Sequence, residues 1–179
     1  MLHFVLGGAR SGKSRFAENL AKQFEAEGKQ VFYVATANRQ YTDQDGQTVL
    51  DKEMLQRIEM HQSDRPSHWQ TIETPIHLSQ TLQSLDSKDA CILVDCLTLW
   101  SLNLLETDAM NTEKQALMAC LSSLSANIII VSNEVGLGIV PLGEFSRQYV
   151  DELGWLHQAV ASVAERMTFM VAGQPISIK

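Results

Sequence analysis

The segment from Gly7 to Ser14 constrains the fold of this chain more than any other part of the sequence. It satisfies the pattern G-x4-G-K-[ST] with the residues Gly7, Gly8, Ala9, Arg10, Ser11, Gly12, Lys13 and Ser14. In such a segment the glycines let backbone N–H groups surround phosphate oxygens at the positive end of the helix that follows. We expect Lys13, exposed in the empty site, to reach the β- and γ-phosphates, and Ser14 to bind Mg²⁺. The pattern therefore predicts a P-loop nucleotide site and not a glycine-rich turn without a ligand.

The residues around this segment alternate between strand-like and helix-like spacing. Leu2–Leu6 is a short apolar run that ends at glycine, and the apolar positions between Phe16 and Phe24 recur with the period of an amphipathic helix. Further strands are predicted at Val31–Ala35, Trp69–Glu73, Ala90–Val94 and Ile128–Val131, and further helices from Asp51 and over Ile76–Leu85, Leu97–Leu105, Lys114–Leu124 and Leu153–Arg166. Apolar strands between helices imply a mainly parallel sheet that is covered on both faces.

The remaining segments are predicted to form loops and a closing hairpin. Asn38–Thr48 is polar, with the turn signal Asp45-Gly46, and is predicted to be an exposed loop, whereas Val135–Leu142 is predicted to be an ordered loop. Thr168–Ala172 and Ile176–Ile178 are joined by only a few residues, so these two strands are expected to be antiparallel. We therefore predict one α/β domain over residues 1–179, with a mainly parallel sheet, a C-terminal antiparallel strand and helices on both faces.

Charge and composition exclude several classes of partner. The net charge is −7 and the pI is about 5.2, whereas a protein that binds nucleic acid usually carries a basic field. Cys91, Cys96 and Cys120 have no paired spacing, so we expect free buried thiols and neither disulfides nor a metal site. No apolar run reaches the ~18 residues of a membrane span, and the apolar N-terminus lacks a basic leader. We expect a cytoplasmic protein that binds neither nucleic acid nor a membrane.

Polar residues at strand ends extend the predicted site. Asp95 ends the apolar strand Ala90–Val94, where a P-loop protein places a carboxylate that helps to hold Mg²⁺. The alternative for Asp95 is an N-cap of the helix from Leu97. Glu73, Asn133 and Glu134 also follow strands, and such side chains point into the ligand crevice of an open α/β sheet. For Glu73, a solvated position is the alternative.

His61 is a candidate nucleophile. On the helix predicted from Asp51, Arg57 and His61 are separated by four residues and therefore share a face. Histidine can attack phosphorus, and a neighbouring guanidinium neutralises the charge that develops there. From spacing alone, a surface or capping histidine is the stronger interpretation. The other histidines are predicted to be structural, and they are His3, His68, His77 and His157.

Longer motifs follow the P-loop in a fixed order. They are Ala35-Thr36-Ala37, Glu53-Met54, Arg57-Ile58-x-x-His61, Arg65-Pro66-x-x-Trp69-x-Thr71-x-Glu73, Asp95-Cys96-Leu97-Thr98, Ser132-Asn133-Glu134-Val135-Gly136-x-Gly138-Ile139-Val140-Pro141, Arg147-x-Tyr149-x-Asp151-x-x-Gly154 and Gly173-x-Pro175. In these motifs the chain resembles the bifunctional adenosylcobinamide kinase / adenosylcobinamide-phosphate guanylyltransferase family of cobalamin biosynthesis. The resemblance spans essentially the whole chain, and the Arg57–Glu73 and Asn133–Pro141 blocks are its most specific parts.

The resemblance implies a function and assigns residues to it. It implies that the protein phosphorylates adenosylcobinamide with ATP or GTP. His61 would then carry GMP from GTP to adenosylcobinamide-phosphate, which gives adenosylcobinamide-GDP. It also implies a RecA-like P-loop fold and a homotrimer. Besides the P-loop, the implied nucleotide contacts are Ala35, Thr36, Ala37, Gln62, Ser63, Asp64, Arg65, Glu73 and Asp95.

Two features depart from the family pattern, and two other functions are open. The Asn38–Thr48 loop is about ten residues longer than the usual connection, and His157 stands where asparagine is more common.

A P-loop kinase of another small hydroxyl substrate would not need a catalytic His61. A non-catalytic GTP switch would need an element that reorganises with the γ-phosphate, for which the Asn38–Thr48 loop is the candidate.

Overall fold

The computed structural model describes residues 1–38, 40–42, 48–50 and 66–179. The helix predicted from Asp51, including His61, and the stretch Gln62–Arg65 lie outside these residues. Within the described residues, the chain alternates between strands and helices in the order expected for an α/β protein.

Nine strands form two sheets in the described part of the chain. They are β1 (Leu2–Gly7), β2 (Gln30–Ala35), β3 (Gln40–Thr42), β4 (Thr48–Leu50), β5 (Gln70–Glu73), β6 (Ala90–Asp95), β7 (Asn127–Asn133), β8 (Arg166–Val171) and β9 (Gln174–Ser177). Seven of them form one sheet in the order β5-β2-β6-β7-β1-β8-β9, and β3 and β4 pair only with each other. Every pairing in the large sheet is parallel except that of β8 with β9. The predicted C-terminal antiparallel strand is therefore confirmed.

Helices cover both faces of the large sheet. The described helices are α1 (Lys13–Ala26), α2 (Leu78–Ser84), α3 (Leu97–Glu106), α4 (Met110–Leu121) and α5 (Glu144–Val163). Alternate residues of β1 belong to the two apolar layers, since Phe4 is part of the buried cluster that includes residues of α2 to α5, and Val5 is part of the cluster that includes residues of α1. Full burial of a large apolar side chain such as Phe4 contributes about 1.5–3 kcal/mol to folding. The strands are apolar on both faces because each face is covered, as the sequence predicted.

Several segment boundaries differ from the sequence prediction, for example the helix expected over Lys114–Leu124, which spans Met110–Leu121. The expected exposed loop Asn38–Thr48 contains β3 and the first residue of β4, which pair antiparallel. The last long helix begins at Glu144 and not near Leu153, and the five residues of its start, 144–148, are all exposed. It ends before Arg166 because the Glu165 backbone N–H already donates to the Leu2 carbonyl, which starts the pairing of β8 with β1.

The cysteines agree with the prediction from composition. The cysteines Cys91, Cys96 and Cys120 are free and buried, as small apolar side chains would be. None of the described helices, including the 20-residue α5, combines the length and the apolar character needed to cross a bilayer.

Candidate functional site

The P-loop occupies the turn between β1 and α1, as predicted. Glycine is required at Gly7, because a Cβ there would lie 2.6 Å from the Met170 carbonyl oxygen and 2.8 Å from Ser11 Oγ. Gly12 has a φ of 93°, in the left-handed region, and forms the N-cap of α1 without a side-chain capping bond. The first N–H groups of α1 are therefore left for an anionic ligand.

A turn from the far end of the chain supports this loop. The backbone N–H of Gly173, between β8 and β9, donates to the Ser11 carbonyl at 3.0 Å. A Cβ on Gly12 would lie 3.3 Å from the Gly173 Cα, so the two turns are in close contact. In the sequence, Gly173 is notable only for the motif Gly173-x-Pro175 between the two closing strands. Its contact with the P-loop depends on the pairing of β8 with β1. No local sequence pattern predicts that pairing.

Ser11 supplies an unsatisfied polar atom within the loop. Its side chain is 8% exposed, and Ser11 Oγ has no hydrogen-bond partner in the described part of the chain. A buried hydroxyl without a partner costs about 1–3 kcal/mol. Such a group is typical of a site where a ligand supplies the missing partner. The loop thus fits a phosphate group both in shape and in its donors.

Lys13 is buried, which corrects the expectation that it is exposed. Its side chain is 7% exposed, and Nζ donates to the Gly8 carbonyl of the same loop at 2.6 Å. Burial lowers the pKa of Lys13, and the nearby Cys96 and Asp95 oppose that shift. The ammonium folds back because the loop carbonyl is the acceptor within its reach. Lys13 therefore sits between the P-loop and the end of β6.

Two carboxylates flank the end of β2. In the sheet register Ala35 is the partner of Glu73 on one side and of Asp95 on the other. Glu73 is exposed and Asp95 is half-buried. The two acidic residues thus lie side by side at the carboxyl ends of the parallel strands. The P-loop follows β1 at the same end of the sheet.

Thr36 links the strand ends. Its hydroxyl donates to the Cys96 carbonyl at 2.7 Å and accepts from the Cys96 N–H at 2.9 Å. The Thr36 carbonyl accepts from Asn103 Nδ2 at 2.8 Å. Thr36 is fully buried, so it supports the site through these hydrogen bonds. Ala35 and Ala37 are half-buried and lie at the surface of the site.

Asp95 does not cap the following helix. The N-cap of α3 is Cys96, and no side chain makes a capping bond there. Asp95 Oδ2 instead accepts a hydrogen bond from the Tyr33 hydroxyl at 2.7 Å. The capping alternative for Asp95 is therefore wrong. Sequence reasoning missed Tyr33, although a tyrosine inside the otherwise apolar strand β2 needs a partner for its hydroxyl when buried.

The histidines in the described part of the chain all have polar partners. His3 Nε2 bonds to Thr168 Oγ1 at 2.8 Å, His77 Nδ1 to Glu113 Oε1 at 2.8 Å, and His157 Nε2 to Ser132 Oγ at 2.7 Å. His68 Nε2 lies 2.6 Å from Glu25 Oε1, which also accepts from Trp69 Nε1 at 2.8 Å. These contacts support structural roles. The last pair also fixes the segment that follows Arg65 against α1.

Asn133 and Glu134 extend the site beyond the P-loop. In the register of β1 with β7, Asn133 is the partner of Gly7, and the Glu134 N–H donates to the Gly7 carbonyl at 3.0 Å. The loop that follows exposes the large apolar side chains Leu137, Ile139, Val140 and Leu142, and Phe145 in the first turn of α5 is also exposed. Arg147 Nη1 donates to the carbonyls of Pro141 and Leu142 and holds this loop in place. Val135–Leu142 is a loop, as predicted, and its exposed apolar side chains were not predicted.

The fold and the loop geometry define a P-loop nucleotide-binding α/β protein. The family model for cobinamide kinase / cobinamide phosphate guanyltransferase matches residues 3–178. The chain belongs to that family, as its motifs predicted.

Relatives resemble the chain over its whole length. It is 52% identical over 182 residues to the bifunctional adenosylcobalamin biosynthesis protein CobP of Pseudomonas aeruginosa, a match that covers 100% of this chain and 98% of the relative. It is 35% identical over 195 residues to the bifunctional adenosylcobalamin biosynthesis protein CobU of Escherichia coli K12, with 100% of both chains covered. A solved ATPase domain is similar in fold, with a TM-score of 0.50 at 14% identity over 94% of this chain and 68% of that one. The predicted P-loop fold class is therefore confirmed.

Proposed function

We propose that this protein phosphorylates adenosylcobinamide with ATP or GTP and then transfers GMP from GTP to adenosylcobinamide-phosphate, giving adenosylcobinamide-GDP. The observation that carries the proposal is a complete P-loop, with an unsatisfied Ser11 hydroxyl, in a chain matched by the family over residues 3–178. The relatives CobP and CobU are both named bifunctional. We assign both activities to one domain, residues 1–179.

In the kinase step the P-loop holds the phosphates and Lys13 neutralises their charge. The hydroxyl oxygen of the aminopropanol arm attacks the γ-phosphorus, and the bond to the β-phosphate oxygen breaks. Such transfers depend mainly on positioning and charge neutralisation. The buried Lys13 ammonium, 2.6 Å from the Gly8 carbonyl, exchanges this partner for phosphate oxygens when nucleotide binds.

The donor set near the P-loop fits Mg²⁺. The hydroxyl of Ser14 and the carboxylate of Asp95 are hard oxygen ligands, which this ion prefers, and nucleotide phosphates and water complete its shell. Tyr33 bonds to Oδ2 of Asp95, which leaves Oδ1 to the metal. Bound Mg²⁺ would neutralise charge on the phosphates.

Asp95→Asn tests this assignment. The neutral amide should raise the Mg²⁺ concentration needed for half-maximal activity by about tenfold or more and lower turnover. Titration of activity against Mg²⁺ measures the shift. The matched control is Asp89→Asn, an exposed carboxylate just before the opposite end of β6. An unchanged Mg²⁺ dependence in a folded Asp95→Asn protein would remove Asp95 from the metal site.

In the guanylyl transfer we assign His61 as the nucleophile. Its ring nitrogen attacks the α-phosphorus of GTP, and the bond to the β-phosphate oxygen breaks to release pyrophosphate. A phosphate oxygen of adenosylcobinamide-phosphate then attacks the same phosphorus, breaks the phosphorus–nitrogen bond and frees His61. We assign Gln62, Ser63, Asp64 and Arg65 to GTP contacts by family position. The hydrogen bonds of His68 and Trp69 to Glu25 support this assignment, because they fix residues that follow Arg65 in the sequence against the helix of the P-loop.

The assembly and the compartment are also proposals. We propose a homotrimer in the cytoplasm. The free thiols of Cys91, Cys96 and Cys120 are consistent with a reducing compartment. Leu142 and Ile139 are 98% and 97% exposed, and exposed apolar patches usually mark interaction surfaces. A mass of three times the chain's 20.0 kDa in sedimentation equilibrium would support the trimer.

A product assay separates this function from its rivals. Wild-type protein with adenosylcobinamide, GTP and Mg²⁺ should yield adenosylcobinamide-phosphate and then adenosylcobinamide-GDP with one pyrophosphate for each, measured by mass spectrometry. A kinase of the same substrate without guanylyl transfer would stop at the phosphate. A kinase of another substrate or a GTP switch would leave the corrinoid unchanged, and that result would contradict the proposal.

A further inference from the structure

A chain of buried polar groups lies beneath Asn133, next to the P-loop. The Asn133 N–H donates to Thr98 Oγ1 at 2.7 Å, Thr98 Oγ1 lies 3.1 Å from Ser132 Oγ, and Ser132 Oγ lies 2.7 Å from His157 Nε2. Thr98, Ser132 and His157 are 6%, 0% and 7% exposed. The chain therefore joins α3, β7 and α5 at the level of the candidate site, away from water.

The charge of Glu134 selects the tautomer of His157. Glu134 Oε2 lies 3.9 Å from His157 Nδ1, so a proton on Nδ1 faces the carboxylate and is favoured over a lone pair there. With the proton on Nδ1, Nε2 accepts and the Ser132 hydroxyl must donate to it. Burial lowers the pKa of His157 to about 4, so the ring is neutral at neutral pH.

Further hydrogen bonds hold residues 133–136, which lie beside Gly7 and lead into the loop that exposes apolar side chains. The Glu134 N–H donates to the Gly7 carbonyl, and Glu134 Oε1 accepts from the Gly136 N–H at 2.5 Å. The P-loop itself is supported independently by Gly173. Loss of His157 would therefore displace the 133–136 segment more than the phosphate cradle.

We propose that His157 is a positioning residue that holds the 133–136 segment through Ser132, Thr98 and Glu134 and thereby orients the acceptor substrate. The identity of the acceptor rests on the proposed function. The effect should therefore fall on the acceptor and not on the nucleotide.

Kinetics of three variants test this role. His157→Ala should lower kcat/KM for adenosylcobinamide by about 10- to 100-fold, since small misplacements cost that much, while nucleotide affinity stays unchanged. His157→Gln places an acceptor near the position of Nε2 and should recover most of the activity. The matched control is His3→Ala, because His3 is equally buried at 6% and also bonds to a hydroxyl, but lies near the start of β1. Equal losses in the two alanine variants, or a parallel loss of nucleotide affinity, would overturn the proposal.

Two spectroscopic measurements test the same proposal without an assay of enzyme activity. In wild-type protein, ¹⁵N spectra of labelled histidine should place the His157 proton on Nδ1, and hydrogen exchange at the Asn133 amide should be slow. His157→Ala should speed that exchange by about tenfold or more, whereas His3→Ala should not. A proton on Nε2, or an unchanged exchange rate, would contradict the role of His157. Absence of corrinoid turnover in wild-type protein would instead contradict the proposed function.

Discussion

His61→Ala should abolish covalent capture of GMP from GTP. With Mg²⁺ and GTP labelled at the α-phosphate, wild-type protein should retain label after denaturation, because the proposed nucleophile forms a phosphorus–nitrogen bond. The variant should retain none. Its kinase activity should survive, since the P-loop, Lys13 and Asp95 are unchanged. The measurement is label bound to denatured protein, followed by mass spectrometry of the labelled peptide.

The stability of the adduct identifies the bond. A phosphoramidate on imidazole is lost in acid and is comparatively stable in base, unlike a serine ester or an acyl phosphate. GTP labelled only at the γ-phosphate should leave no adduct, because attack at the α-phosphorus expels that group in pyrophosphate.

Two other histidines provide matched controls for His61. The side chains of His68 and His77 are 67% and 63% exposed and bond to Glu25 and Glu113, so His68→Ala and His77→Ala should fold and retain label. If wild-type protein binds GTP normally and never acquires acid-labile label, the guanylyl transfer is wrong and the plain kinase becomes the better assignment.

Most of the architecture was predictable because its signals are local. The apolar runs of β1, β6 and β7 and the G-x4-G-K-[ST] pattern each lie within a few neighbouring residues, and parallel pairing follows from the helices between them. The start of α5 at Glu144 was missed because residues 144–148 are exposed and only Phe145 among them is apolar. The pairing of β3 with β4 was missed because Asn38–Thr48 is a mainly polar segment without an apolar period.

The supporting contacts of the site were not predictable, because they join residues distant in sequence. Tyr33 meets Asp95 only because β2 and β6 are neighbours in the sheet. Gly173 reaches Ser11 only because β8 lies beside β1. The sequence placed the functional groups at strand ends, whereas the side chains that hold those groups depend on strand order.

Lys13→Ala should abolish nucleotide binding and both activities while the protein stays folded. Without the ammonium, the P-loop loses the side chain that we assign to the β- and γ-phosphates, and loss of one such group costs about 100-fold or more in turnover. Two effects on stability oppose each other. The variant loses the bond from Nζ to the Gly8 carbonyl, and it also removes a buried ammonium whose lowered pKa reflects its cost of burial. The net change in the free energy of unfolding should therefore be small, on the order of 1 kcal/mol.

Lys88→Ala separates the role of Lys13 from a simple loss of charge. Lys88 is exposed in the turn before β6, at the opposite end of the sheet from the P-loop, and its removal changes the net charge of the protein by the same amount. Calorimetric titration with GTP and circular dichroism on both variants measure affinity and folding. Lys88→Ala should bind GTP as wild-type protein does, and Lys13→Ala should show no measurable heat at the same concentrations. A folded Lys13→Ala protein with unchanged GTP affinity would mean that the nucleotide phosphates bind elsewhere. The assignments of Ser14 and Asp95 to the metal would then fail as well, because both depend on phosphates held by this loop.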